Sequence, residues 1–297
     1  MIHNFEELLA AAAKTRRRRA LVVAPANRET FDAIREARDR LALDFVLVGD
    51  GKTMEHELPD RRGIEIVDRP TTEECLAASM ELLARGDADI LMKGGVDTAT
   101  LIKAVLKPES GLRTGRLLSD VFLFEYAART ENRLVMITDG GLCIAPDLEA
   151  KVQLIRNAVQ VAHTLGNLNP KVAVLSAAEF VQPNMPSSVD AAALAQMNAN
   201  GEITGCVVAG PLALDNALAP HAAQEKRIGS VVAGAAEILV CPNIESANML
   251  AKSTTYIGNT RLAHVIVGAR IPILIPSRAD KSDAKLLSLA LGMVMTE

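Results

Sequence analysis

Short apolar, often β-branched runs alternate with longer stretches whose apolar positions recur at helical spacing, almost throughout the chain. In the first half, residues 19–24, 45–49, 64–67, 88–92, 117–124 and 134–138 read as strands. Residues 29–42 read as a helix, as does the stretch opened by Thr71-Thr-Glu-Glu and closed by Arg85-Gly86. A further helix is capped by Asp97 or Thr98 and runs to about Leu106. In the second half, 147–165, 188–198, the stretch from Pro242 to about Lys252, and 259–267 read as helices. Residues 171–176, 205–209, 238–241 and 271–275 read as strands, and Gly210-Pro211 breaks the pattern. The last stretch, 284–295, reads as an amphipathic helix. This rhythm predicts an α/β fold, mainly parallel, with helices on both sheet faces.

Glycines and Pro146 follow the strand that ends at Thr138, and a new helix opens after them, so a domain boundary is expected near Asp139-Gly140-Gly141. The last helix lacks an obvious partner in the second half. Returned to the first domain, it gives residues 1–139 plus 277–297 as one α/β domain and 140–276 as the other. Residues 277–283 then fall at a cleft between domains, the usual place for a ligand.

Five strand ends carry polar residues: Lys93-Gly-Gly-Val-Asp-Thr98, Thr138-Asp-Gly-Gly141, Ser176, Gly210-Pro211 with Asp215, and Pro276-Ser-Arg278. A strand that hands its chain to a helix brings free N–H groups and a positive helix end to that edge. With Ser277, the fixed cation Arg278, Asp280 and Asp283 added, the last of them suits an anion, a phosphate or an acyl group carrying one. Plainer readings exist for each. Lys93-Gly94-Gly95 is either a backbone cradle for phosphate or a tight turn, and it lacks the GxxxxGK[ST] spacing of a Walker loop. Asp139 before two glycines is a common turn residue, and Asp280 or Asp283 serves equally as a helix cap. Arg113 and Arg116 flank Gly115 in a loop. No GxGxxG follows the first strand, and there is no GxSxG elbow.

Bulk properties narrow the function. The 297 residues are 49% hydrophobic and 23% charged, with a net charge of −4, which argues against nucleic acid as a partner. Cys75, Cys143, Cys206 and Cys241 are far apart and lie in or beside apolar runs, so they read as buried thiols of a reducing compartment, with neither disulfides nor a zinc site. The five histidines show no metal spacing. No apolar run approaches the roughly 20 residues of a spanning helix, and the reading is a soluble cytoplasmic protein without a membrane partner.

Gly210-Pro-Leu-Ala-Leu-Asp215, Gly229-Ser-Val-Val-Ala-Gly234, Pro242-Asn-Ile-Glu-Ser-Ala-Asn248 and Pro276-Ser-Arg278 occur in that order. Together with Asp139-Gly and Lys93-Gly-Gly-Val-Asp-Thr98, they resemble the phosphate acetyl/butyryltransferase family over most of the chain. The resemblance implies two α/β domains related to the isocitrate and isopropylmalate dehydrogenases, and a homodimer. The implied reaction is reversible transfer of an acyl group between coenzyme A and phosphate, with acyl-CoA as substrate and no bound cofactor or metal. Ser277 and Arg278 fall on the family's catalytic serine and phosphate-binding arginine. Lys103 lies near where acetyltransferases carry another phosphate-contacting arginine. Arg113, Lys93, Gly94, Gly95 and Thr98 are further phosphate or substrate candidates, and Asn243, Glu245, Asn248, Gly210 and Asp215 are candidates for coenzyme A. The base is open among Asp283, Asp280 and Asp139, because Ala284 stands seven residues after the serine, where acetyltransferases place an aspartate. The Ser-Arg-Ala-Asp form points to butyryl or branched-chain substrates, with acetyl-CoA as the rival. A dehydrogenase of the related fold and a non-catalytic acyl-CoA-binding protein are the alternatives from other classes.

Overall fold

The computed structural model describes all 297 residues. In chain order its elements are α1 (Phe5–Ala12), β1 (Arg18–Val23), α2 (Arg28–Arg40), β2 (Leu43–Gly49), α3 (Gly51–Glu57), β3 (Ile64–Asp68), α4 (Thr72–Arg85), β4 (Ile90–Lys93), α5 (Thr98–Val105), β5 (Ser119–Glu125), β6 (Leu134–Thr138) and α6 (Leu148–Thr164). There follow β7 (Lys171–Leu175), α7 (Pro186–Ala199), β8 (Val207–Leu212), α8 (Leu214–Leu218), α9 (Pro220–Glu225), β9 (Ile238–Val240), α10 (Ile244–Tyr256), β10 (Leu262–Val267), β11 (Ile273–Leu274) and α11 (Ser282–Val294). Several helices start where the sequence supplies a cap. Asn27, Asp97, Asp147 and Asn243 each accept an N–H of the first turn, and Thr71 with Glu74 forms a full capping box.

Contacts divide the chain into two compact units, residues 5–118 with 262–297, and residues 1–4 with 119–261. The expected boundary at 139/140 is corrected by strand pairing. β6 pairs antiparallel with β5 and parallel with β9, which keeps 119–138 in the second unit. β10 pairs with β11, and β11 with β4, which brings 262–276 into the first.

The first unit's strands run β3-β2-β1-β4-β11-β10, parallel up to the antiparallel β10. Expected as a helix, 259–267 contains this strand instead. Leu-Ala-His-Val-Ile-Val is rich in branched residues, and five of its six are buried, a pattern suited to a doubly covered strand rather than a half-exposed helix. The expected amphipathic helix is also corrected. In α11 every residue from Lys285 to Val294 is buried, packed by α1, α2 and β10.

In the second unit the order is β5-β6-β9-β7-β8, with β5 antiparallel. Gly210-Pro211 does not break the chain there but lies inside β8, which stands at the end of the sheet. A proline without an N–H is tolerated on such an outer strand, and the pairing with β7 shifts register across it.

Candidate active site

β4 and β11 are neighbouring parallel strands, so Lys93 and the Pro276–Asp280 segment leave the sheet side by side at its C-terminal edge. Lys93 is 5% exposed and its ammonium has no acceptor in the protein. Burial lowers its pKa, and the positive charges of Arg278 and Lys285 add to this against the opposing Asp280 and Asp97. After Pro276 the chain makes a tight turn. The Asp280 Oδ2 accepts the Ser277 N–H at 2.7 Å, Asp280 N–H donates to the Ser277 carbonyl at 3.1 Å, and Ala279 N–H donates to Ser277 Oγ at 3.3 Å. Asp280 thus closes the turn rather than capping α11. The cap comes from α2, where Glu29 Oε2 accepts the Ser282 N–H at 2.7 Å. Asn27 Nδ2 holds the Arg278 carbonyl at 3.3 Å. Arg278 itself is exposed, and the start of α11 points its positive end at this edge.

Gly94 and Gly95 are not a free cradle. Their N–H groups donate to the Val23 and Ala24 carbonyls at 2.9 and 2.6 Å. A Cβ on Gly94 would stand 2.4 Å from the Ala24 oxygen and 2.5 Å from that of Val23. The glycines let β4 end against the end of β1, and this sets where Lys93 lies. Thr98 begins α5 behind the Asp97 cap. Lys103 is exposed and lines a groove of about 800 Å³ between α4 and α5 with Leu76, Met80 and Lys107, and no hydrogen bond or ion pair joins it to the turn. Arg113 is exposed beside a bridge from its own backbone to Ala269. Asp283 lies half-buried in the first turn of α11, and Ala284 beside it is half-buried too.

The second unit holds the other candidates. Asp139 directly follows β6 and is 2% exposed. Its Oδ1 accepts the N–H groups of Gly141 and Leu142 at 2.7 and 2.9 Å, and its Oδ2 accepts that of Asp120 at 3.0 Å. Burial and the Asp120 charge raise its pKa against those bonds. With its oxygens engaged by three N–H groups, Asp139 organises a turn, and it also lies against the Cys143 thiol. Gly141 belongs to the same turn, since a Cβ there would meet Asp120 Oδ2 at 2.4 Å. Asn248 Nδ2 donates to the Gly140 carbonyl at 2.8 Å, and Asn243 caps α10 through the Ser246 N–H at 3.0 Å, with Glu245 in the same first turn. Asp215 is exposed and faces Lys226, whose Nζ is 3.4 Å away and also reaches Glu179 at 2.8 Å. Gly210 lies within β8.

The thiols are unsuited to nucleophilic work. Burial pushes Cys143 and Cys241 up to about 12 and Cys206 to about 11, with the Asp139 charge adding to Cys143. Sequence reasoning missed Asn27, Glu29 and Lys285. The signal for the last was present, a cation set directly before the apolar run Leu286–Val294.

A strand-end turn carrying serine, arginine and carboxylate beside a largely buried lysine suits an anion, and the chain belongs to a family of transferases. Residues 56–293 match the family described as "Phosphate acetyl/butaryl transferase". Over 99% of its length the chain is 42% identical to the "Probable phosphate butyryltransferase" of Bacillus subtilis (strain 168), covering 98% of that protein. It is 37% identical to the "Phosphate acetyltransferase" of Thermotoga maritima, over 98% of this chain and 99% of the relative. The crystal structure of a branched-chain phosphotransacylase from Enterococcus faecalis V583 superposes with a TM-score of 0.84 at 31% identity, covering 94% of this chain and 99% of that one.

Proposed function

We propose that the protein transfers a short acyl group reversibly between coenzyme A and inorganic phosphate, with butyryl or a similar short chain preferred over acetyl. The observation that carries the phosphate half is the Lys93 side chain, 5% exposed, flanked by Arg278 and making no hydrogen bond or ion pair of its own. Burial and the neighbouring cations disfavour the charge more than Asp280 and Asp97 favour it, and an anion in front of it offsets that cost. Arg278 offers a planar fork that binds phosphate oxygens two at a time. Ser277 supplies a hydroxyl donor for the oxyanion that forms when the coenzyme A thiolate attacks the acyl phosphate carbonyl. In the reverse direction the same cations hold phosphate as the nucleophile. Asp280 accepts the Ser277 N–H at 2.7 Å and stands among the cations, and Asp283 follows three residues later, so these two are the carboxylates nearest in sequence to the proposed chemistry.

The identities of 42% to a butyryltransferase and 37% to an acetyltransferase, with the branched-chain structural relative, favour the longer chain. One methylene is worth about 1–3 kcal/mol in a pocket, so the preference shows as a ratio of specificity constants rather than as exclusion. The expected order is butyryl- and isobutyryl-CoA above propionyl-CoA above acetyl-CoA, measured as phosphate-dependent release of coenzyme A. A higher constant for acetyl-CoA would reassign the substrate. We also propose a homodimer in the cytoplasm, as in the implied family pattern. No helix is long and apolar enough to cross a membrane.

A pH prediction follows from Lys93. Its pKa is lowered in the folded protein, so the folded state binds fewer protons than the unfolded one between the two values. The charged form therefore opposes folding near neutrality, and this cost fades as pH rises through that window. For activity the sign reverses, because deprotonation removes a cation from the phosphate. The KM for phosphate is expected to climb with pH below the ordinary lysine range. Lys93→Met should raise the KM about tenfold and flatten that limb. Identical limbs in the two proteins would remove Lys93 from the site.

A further inference from the structure

Lys285 is 1% exposed, in the second turn of a helix whose following residues are all buried and mostly leucine, alanine, methionine and valine. Leucine or methionine would fill such a place, and burying an ammonium there is costly unless it is hydrogen-bonded. Its bonds are specific. The Nζ donates to the Ser277 carbonyl at 3.3 Å and to the Asp280 carbonyl. Helical side chains lean toward the helix N-terminus, and this lean carries the ammonium back beneath the turn that precedes α11. The two carbonyls are the first and last of the four-residue turn. The charges that offset the buried ammonium are Asp280 on the turn and Glu29 on α2. Lys93 on β4 is the facing cation, and Arg278 in turn acts on Lys93.

We propose that Lys285 is a positioning residue for phosphate: by tying the Ser277 and Asp280 carbonyls to one buried ammonium, it fixes the arc on which Arg278 stands and so sets phosphate affinity without touching the ion. This rests on the reading of Arg278 as the phosphate contact. Several donors restrain the backbone at this point. Asn27 holds the Arg278 carbonyl between the two that Lys285 holds. With the lysine removed, the Asp280 carbonyl loses its donor and the Ser277 carbonyl keeps only the Asp280 N–H, so the arc can open, which spreads the Arg278 guanidinium over more positions. A one-ångström misplacement is enough to cost rate.

The test is a double-mutant cycle on the full chain, with inorganic phosphate and butyryl-CoA as the varied substrates. Lys285→Met removes the buried charge at nearly constant volume but leaves the Asp280 carbonyl without its donor, so the melting temperature should fall modestly while the protein still folds. The KM for phosphate should increase about tenfold while that for butyryl-CoA stays within twofold. In an Arg278→Ala background the same change should add less than twofold, because the arc no longer presents a fork. The proposal is overturned by an unchanged phosphate KM in folded Lys285→Met. It is equally overturned by effects that multiply with those of Arg278→Ala, since the lysine would then act on phosphate by itself. Should Lys285→Met not fold, Lys285→Gln, neutral but with an amide NH2 that can still reach one of the carbonyls, takes its place. Failure of both to fold would assign the lysine to folding and overturn the proposal. A normal phosphate KM in Arg278→Ala alone would sink the underlying phosphate reading instead, a result distinguishable from failure of the Lys285 assignment.

Discussion

Arg278→Ala is expected to lower kcat/KM for phosphate by about 100-fold or more, roughly 3 kcal/mol of transition-state stabilisation. The guanidinium is exposed at the end of β11, held by a turn whose backbone is tied by Asp280, Asn27 and Lys285. It therefore reaches solvent with a fixed base and a free charged end, suited to a diffusing anion. The loss should appear in both the KM for phosphate and kcat, because the phosphoryl oxygens carry charge in the ground state and in the tetrahedral intermediate. Arg278→Lys should recover only part of it, since an ammonium offers a point charge without the planar fork. The KM for butyryl-CoA should move little. Steady-state kinetics with each substrate varied in turn checks all three points. A wild-type phosphate KM in Arg278→Ala would remove the turn from the site.

Gly94→Ala should destabilise the protein by about 3 kcal/mol or more, among the larger effects of a single substitution. The cause is steric. The new Cβ would lie 2.4 and 2.5 Å from two main-chain carbonyl oxygens at the end of β1, and neither can swing aside like a flexible side chain. Both carbonyls also accept the N–H groups of Gly94 and Gly95, so separating the strands to admit a methyl group breaks those bonds as well. Because Lys93 precedes the glycine, whatever protein folds should also bind phosphate more weakly. Denaturant titration of both proteins measures the first effect. A midpoint within error of wild type would show that β4 does not need this approach.

The alternation of strand and helix made the α/β class legible, because period-2 and period-3.6 patterns survive in the sequence wherever one face is buried. It failed where burial is uniform. β10 and α11 are covered on all sides, so neither carries a polar face to reveal its period, and one was read as a helix and the other as amphipathic. The domain boundary was hidden for a different reason. It depends on which strands pair, and pairing between β6 and β9 or β4 and β11 joins segments far apart in the chain. Within the site, Lys93 and the Ser277–Asp280 turn could be proposed from their positions after apolar runs. The tasks of the glycines could not, since a glycine reads the same whether its N–H faces a ligand or a neighbouring strand. Glu29, Asn27 and Lys285 reach the turn through tertiary contacts that leave only a faint mark in the sequence.

The measurement that tests the account most directly is release of free coenzyme A from butyryl-CoA by the purified protein, followed with and without inorganic phosphate. The expected result is release that requires phosphate and saturates with it, accompanied by stoichiometric butyryl phosphate. Release at the same rate without phosphate, or none with it, would contradict the proposed transfer.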